Sequence, residues 1–216
     1  MPISEKEQQQ INAVVARFEA STGVQAVAAI ARKADSYPEI PWKAYAIASA
    51  LAALAVAVVT PFSRAGWNAN ALGLNAMLII GTGAVLAIAA ALVPFAGRLF
   101  LDRHRAELEA RQHAKTLFLE RELFRTRDRR AVLVLLLRFE RLAVVMPDAG
   151  LARLLPAAEL LALNKSTGAL LSSRGAVAAF EHAFGRLELL LSSHGVQPPR
   201  VGANELPDEI IVEKGA

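Results

Sequence analysis

The sequence predicts a small mixed α/β (α+β) sheet of about three or more strands, packed by helices, with a two-helix transmembrane hairpin inserted into it. Three observations carry this reading. Two long uncharged apolar runs, 44–62 and 72–97, are joined by a short polar link. The run AVLVLLL at 131–137 is continuously apolar, the mark of a central strand buried on both faces. Helical spacing of apolar residues recurs on both sides of the hairpin. The chain therefore divides into 1–43, a helix, a strand and a linker; 44–97, the hairpin; 98–195, the second part of the soluble domain; and 196–216, an extended or disordered tail.

In chain order, Ser4-Glu5-Lys6-Glu7 has the spacing of a capping box, in which side chain and backbone satisfy each other's free donors at a helix start. Ile11, Val14, Val15 and Phe18 give that helix one apolar face, and Thr22-Gly23 ends it. Val24–Ala31 (VQAVAAIA), bounded by Gly23 and by Arg32-Lys33, reads as a buried strand. The linker 35–43, DSYPEIPWK, leads toward the membrane, and Tyr37, Trp42 and Tyr45 suit the headgroup level.

Each apolar run has the roughly 20 residues that a helix needs to cross a bilayer. Arg64 is the only charge between Lys43 and Arg98. Small residues recur every fourth position at Ser49, Ala53 and Ala57, and again at Gly83, Ala87 and Ala91, a spacing that allows close helix approach. A long amphipathic helix is expected over 101–126, with Ala106, Ala110, Ala114, Leu117, Phe118 and Phe124 near one face. The charged turn RTRDRR at 125–130 breaks it. Leu142–Met146 (LAVVM) returns from the central strand as its hairpin partner. Pro156 opens a helix to about Leu171, and Ala176 opens a last one to about Ser193.

Composition sets bounds on function. The chain is 54% hydrophobic with a formal charge of +4; its mean hydropathy is +0.35 and its pI about 9.8. Such a balance suits an anionic membrane surface as well as it suits nucleic acid. There is no cysteine, which excludes disulfides, thiolate metal sites and cysteine nucleophiles. The opening MPISEKEQQQ lacks a basic region followed by an apolar one, so no cleavable signal peptide is expected.

The order of helix, strand, insertion, helix, strand hairpin and two helices resembles the TPM domain family, named for a thylakoid-lumen phosphatase, a photosystem II repair protein and a nematode acetylcholine-receptor modulator. Four stretches carry the likeness: EASTGVQAVAAIARKAD, DSYPEIPWK, RTRDRRAVLVLLLRFERLAVVMPDAGL and NELPD. The linker followed by a membrane hairpin looks like a bacterial membrane-bound subgroup of that family. Ala131 stands where the family usually carries Gly. The resemblance implies a phosphatase or calcium-binding activity built on acidic side chains.

Only Asp128 and Asp148 are placed to converge in that way, since one precedes the central strand and the other follows its antiparallel partner; Asp35 falls at the opposite end of the sheet. They are the candidate ligands for a divalent metal such as calcium, although calcium takes 6–8 oxygens. His104, His113, His182 and His194 are scattered without ligand spacing. The serines at helix ends suit capping, and no G-x-S-x-G surrounds them. No catalytic or cofactor-binding residue is named.

The leading reading is a membrane-anchored, non-catalytic interaction or scaffolding module of a bacterial inner membrane. Its expected partners are the lipid bilayer and another protein. A metal-dependent phosphatase is the alternative by family analogy. An anionic-lipid or nucleic-acid binder acting through Arg125–Arg130 is a third, with nucleic acid disfavoured because no aromatic residues are interleaved for base stacking. Lys/Arg flank both spans, against Arg64 alone in the loop, so both termini and the soluble domain are expected in the cytoplasm. Parallel pairing of the first and central strands would put the turn at Phe139-Glu140 on the membrane side and Arg125–Arg130 on the far side.

Overall fold

The computed structural model describes residues 3–62, 69–126, 129–196 and 210–213. These form two compact units. One comprises 1–35 and 104–216, the other 36–103.

The first unit is built on a mixed sheet. Helix α1 (Glu5–Thr22) begins with the expected capping box. The Glu7 carboxyl is held below its ordinary pKa by hydrogen bonds from the Ser4 backbone and hydroxyl. Gly23 closes the helix in the left-handed conformation and turns the chain into β1 (Gln25–Ala31). Strand β2 (Ala131–Leu137) pairs with β1 in parallel from Gln25↔Ala131 to Ala31↔Leu137. Strand β3 (Leu142–Pro147) folds back antiparallel on β2. A fourth strand, β4 (Ile211–Glu213), runs parallel to β1 along Ala29–Ala31 and gives the order β3-β2-β1-β4. It lies in the stretch expected to be extended or disordered. Residues 197–209, most of that tail, lie outside the described residues.

Every residue of β2 is buried, because both faces of the sheet are covered. On one face Ala26, Ala28, Ile30, Val132, Val134 and Leu136 pack with α1 and with α7 (Ala157–Arg174) and α8 (Ala176–Ser193). Phe18 and Phe184 meet there at 5.1 Å between ring centroids. On the other face Val27, Ala29, Leu133 and Leu135 pack with α5 (Arg103–Glu120) through Ala110, Ala114 and Leu117. Alternation along each strand thus feeds two cores.

Helix α5 is shorter than the sequence suggested. It stops at Glu120, Glu122 takes a left-handed conformation (φ 51°), and a 3-10 turn spans Leu123–Arg125. Leu123 is fully buried, and a continuous helix would have carried it past the core. Gly175 alone breaks α7 from α8, at φ 89°. Ser172, Ser173 and Arg174, which lie past the end expected near Leu171, belong to α7. The short α6 (Ala149–Ala152) links β3 to α7.

In the second unit, α2 (Glu39–Val59) starts within the stretch read as linker. Pro41 lies in its first turn, where the missing N–H leaves no intrahelical bond unmade. Helix α3 (Ala69–Leu92) follows, and Pro94 starts the short α4 (Pro94–Leu99). Both α2 and α3 are long and apolar enough to cross a membrane, and only 11% of the apolar window of each is buried. They meet at Gly83, where an added Cβ would collide with Ser49 Oγ and lie 2.9 Å from the Tyr45 ring. Asn75 Nδ2 donates to Thr60 Oγ1 at 3.4 Å farther along the same seam. Ser49 and Gly83 of the expected small-residue stripes therefore lie in the contact, whereas Ala57 and Ala91 are exposed.

The close approach of α7 to the sheet is set at Gly168. A Cβ there would lie 3.0 Å from the Arg141 carbonyl oxygen and 3.5 Å from Ala143 N. At Gly185, in α8, a Cβ meets nothing within 4 Å. Gly168→Val is expected to destabilise the fold by about 1–3 kcal/mol through overpacking, whereas Gly185→Ala should stabilise it by about 0.5–1 kcal/mol through helix propensity. Denaturant unfolding of the two variants beside the parent checks both signs.

Candidate functional site

The chain leaves the sheet at the carboxyl end of β1, and this end carries a set of long-range polar contacts. Arg138 N–H donates to the Ala31 carbonyl at 3.1 Å and Phe139 N–H to the Arg32 carbonyl at 2.9 Å, extending the β1–β2 pairing past both strands. The Lys33 ammonium sits 4.5 Å from the centroid of the Phe139 ring, within cation–π range. The Ala34 N–H donates to Glu140 Oε1 at 2.8 Å. Asp35 pairs with Arg105 at 2.9 Å, and Arg105 also faces Glu109 at 3.8 Å, one helical turn on.

These contacts join residues some seventy to one hundred positions apart, so periodicity and local spacing do not announce them. Glu140 reads as one more surface charge in RFER. The structure buries it, and its carboxylate satisfies a backbone donor of the segment after β1. The Asp35–Arg105 pair ties the residue before the 36–103 unit to a residue of α5 just after it. Both side chains are partly exposed, so its contribution is about 0–1 kcal/mol.

Of the acidic pair proposed from the sequence, Asp148 lies at the opposite end of the sheet. Asp148 caps α6 there, with Oδ1 accepting the Ala149 N–H at 2.6 Å and its own N–H donating to the Ala131 carbonyl at 2.8 Å. It is buried, and its Oδ2 has no hydrogen-bond partner among the described residues. Asp128 lies outside the described residues, as does Arg127. Of the basic turn, Arg125 is paired with Glu122 at 2.6 Å, which raises the guanidinium pKa above its ordinary value. The Arg129 guanidinium lies 5.7 Å from the centroid of the Phe124 ring. Among the described residues there is no group of three or more His, Asp or Glu that could hold a metal ion.

Two of the four histidines join separate elements of the fold. His113 Nε2 lies 2.8 Å from Glu213 Oε2 and ties α5 to β4. His182 Nε2 lies 2.8 Å from Ser166 Oγ, which also bonds the Leu163 carbonyl at 3.0 Å. Three backbone donors in or next to the strands are answered by side chains from the helices. Val145 N–H donates to Asn164 Oδ1 at 2.8 Å, Ile210 N–H to Asn12 Oδ1 at 3.0 Å, and Ala26 N–H to Glu19 Oε1 at 2.7 Å.

Removing the Glu140 carboxylate leaves the Ala34 donor without its acceptor. Glu140→Ala is expected to cost about 1–3 kcal/mol, and Glu140→Gln, which keeps an acceptor oxygen, clearly less. Unfolding midpoints of the two variants measure the difference.

No family model matches the chain, and no curated protein matches it. Among solved structures it is similar to the BA42 protein from the psychrophilic bacterium Bizionia argentinensis, determined by NMR, with a TM-score of 0.58 over 98% of this chain and 96% of that one. The two sequences are 8% identical, so the likeness is one of fold alone.

Proposed function

We propose that this is a membrane-anchored TPM-like protein of a bacterial inner membrane, in which α2 and α3 span the bilayer and the α/β unit serves as a non-catalytic interaction or scaffolding module. The observation that carries the reading is the apolar surface of the two helices. Leu51, Leu54, Val58, Leu74, Met77, Ile80, Val85 and Ile88 are each more than half exposed. A soluble monomer rarely leaves so large a contiguous apolar surface in water, whereas lipid covers it without cost. The Ser49–Gly83 approach and the Asn75–Thr60 hydrogen bond are the kind of small and polar contacts that hold helices together in lipid.

The orientation follows from charge. Arg32, Lys33 and Lys43 precede α2, and Arg98, Arg103 and Arg105 follow α3, against Arg64 in the connecting loop. The Lys/Arg excess marks the cytoplasmic side, so both termini stay in the cytoplasm. The soluble partner in this reading is another protein.

A metal-dependent phosphatase is the second reading. The buried Oδ2 of Asp148, without a hydrogen-bond partner among the described residues, favours it, together with the sequence resemblance to the TPM family. Phosphatase assays with and without calcium or magnesium, on the parent and on Asp128→Asn and Asp148→Asn, decide between the two. The leading reading expects no metal-dependent hydrolysis that either substitution removes.

The anchored reading makes two further predictions. The protein should stay in the membrane pellet through alkaline carbonate extraction; release into the supernatant would sink it. Alkaline phosphatase fused at Asn70 should be active and fused at Ala216 inactive, and the reverse pattern would overturn the orientation.

A further inference from the structure

We propose that the end of the sheet where β1 and β2 finish docks on anionic phospholipid headgroups through Arg32, Lys33 and Arg141; this rests on the reading that α2 and α3 span the membrane. The first support is charge. At this end Asp35 is paired with Arg105 and Glu140 is buried on the Ala34 N–H, while Glu5 and Glu7 at the start of α1 are outnumbered by Lys6, Arg32, Lys33, Arg138 and Arg141. Arg32 and Arg141 project into solvent, and Lys33 is half-exposed. The end is therefore positive, which complements a cytoplasmic leaflet.

The second support is backbone strain at Arg141. Leu137 pairs with Leu142, so the four residues 138–141 form the hairpin loop. Arg141 closes that loop at φ 57°, a left-handed position that glycine occupies at no steric cost and other residues at about 1–2 kcal/mol. Tyr37, Glu122 and Arg129 are also left-handed, so the conformation counts at Arg141 only together with its exposed place in the loop at this end of the sheet. The third is continuity of the chain, since β1 ends at Ala31 and the apolar helix α2 starts at Glu39.

The test uses the full chain, which has no native cysteine. A spin label is attached through Ser173→Cys. Ser173 is exposed near the end of α7, beyond the point where Gly168 meets Arg141, and so reports on this end of the sheet. The protein is placed in nanodiscs of phosphatidylcholine with or without phosphatidylglycerol, and accessibility to a water-soluble paramagnetic agent is read.

The anionic lipid is expected to lower accessibility, and high salt to restore it. Each Lys or Arg near an anionic surface contributes about fivefold to the partition, so Arg32→Gln/Lys33→Gln/Arg141→Gly together should weaken docking by about a hundredfold. Arg141→Gly alone should weaken it by about fivefold without lowering the unfolding midpoint, which separates lost docking from lost fold. Arg129→Gln/Arg130→Gln, at the opposite end, should change nothing. A label indifferent to lipid charge, in protein that still resists carbonate extraction, overturns this inference and leaves the membrane reading standing. Equal loss in the Arg129/Arg130 variant also overturns it. Release by carbonate overturns both.

Discussion

The parallel pairing of β1 with β2 is the constraint on which the rest depends. Two parallel strands cannot be joined by a tight turn, because the chain must travel back to the starting end before the second strand begins. That return is made by α5, which fills one face of the sheet with Ala110, Ala114 and Leu117. Since a crossover is obligatory, the segment between Ala31 and α5 is a place where extra chain is tolerated. Loop-closure entropy rises only logarithmically, about 0.6 kcal/mol per doubling of length, so the whole of 36–103 fits there at small cost to the sheet. The Asp35–Arg105 pair holds together the two points between which the excursion runs.

Much of this was legible in the sequence, for identifiable reasons. AVLVLLL carries no polar residue, so it can belong only to an element covered on both sides, and β2 is such a strand. The Ser4–Glu7 box and Gly23 state the two ends of α1 chemically. The apolar runs announced α2 and α3 by length alone. What was illegible depends on tertiary demand. Helix α5 ends at Glu120 although ERELFR has good helical propensity, because Leu123 has to reach the core. Strand β4 is only Ile211–Glu213, too short for periodicity to declare; its signal was the run of three β-branched residues within EIIVE. Pro41 looked like a linker residue because proline punctuates linkers and helix starts alike.

The candidate site was less legible than the fold. Asp35 was assigned by topology to one end of the sheet and Asp148 to the other, and both lie there. Their partners did not follow. Arg105 and Ala149 are supplied by elements whose placement becomes known only when the sheet is assembled. Glu140 was hidden by composition, since a glutamate between arginines in a turn looks solvated, whereas its carboxylate is buried on a backbone donor. Asp148 was read for its charge, and its observed partner is the start of a helix.

Asn12 and Asn164 each occupy one backbone donor at a rim of the sheet, and this bears on crowding. An exposed strand edge is a template for another chain, and natural proteins blunt such edges. Confinement to a surface raises the effective concentration of neighbouring copies and makes weak encounters frequent. On such a surface an open rim would invite copies to zip together laterally into a growing ribbon. Asn12 and Asn164 each take up one donor that such a ribbon would use, so less bare backbone is left at the rims for a neighbouring sheet to pair with.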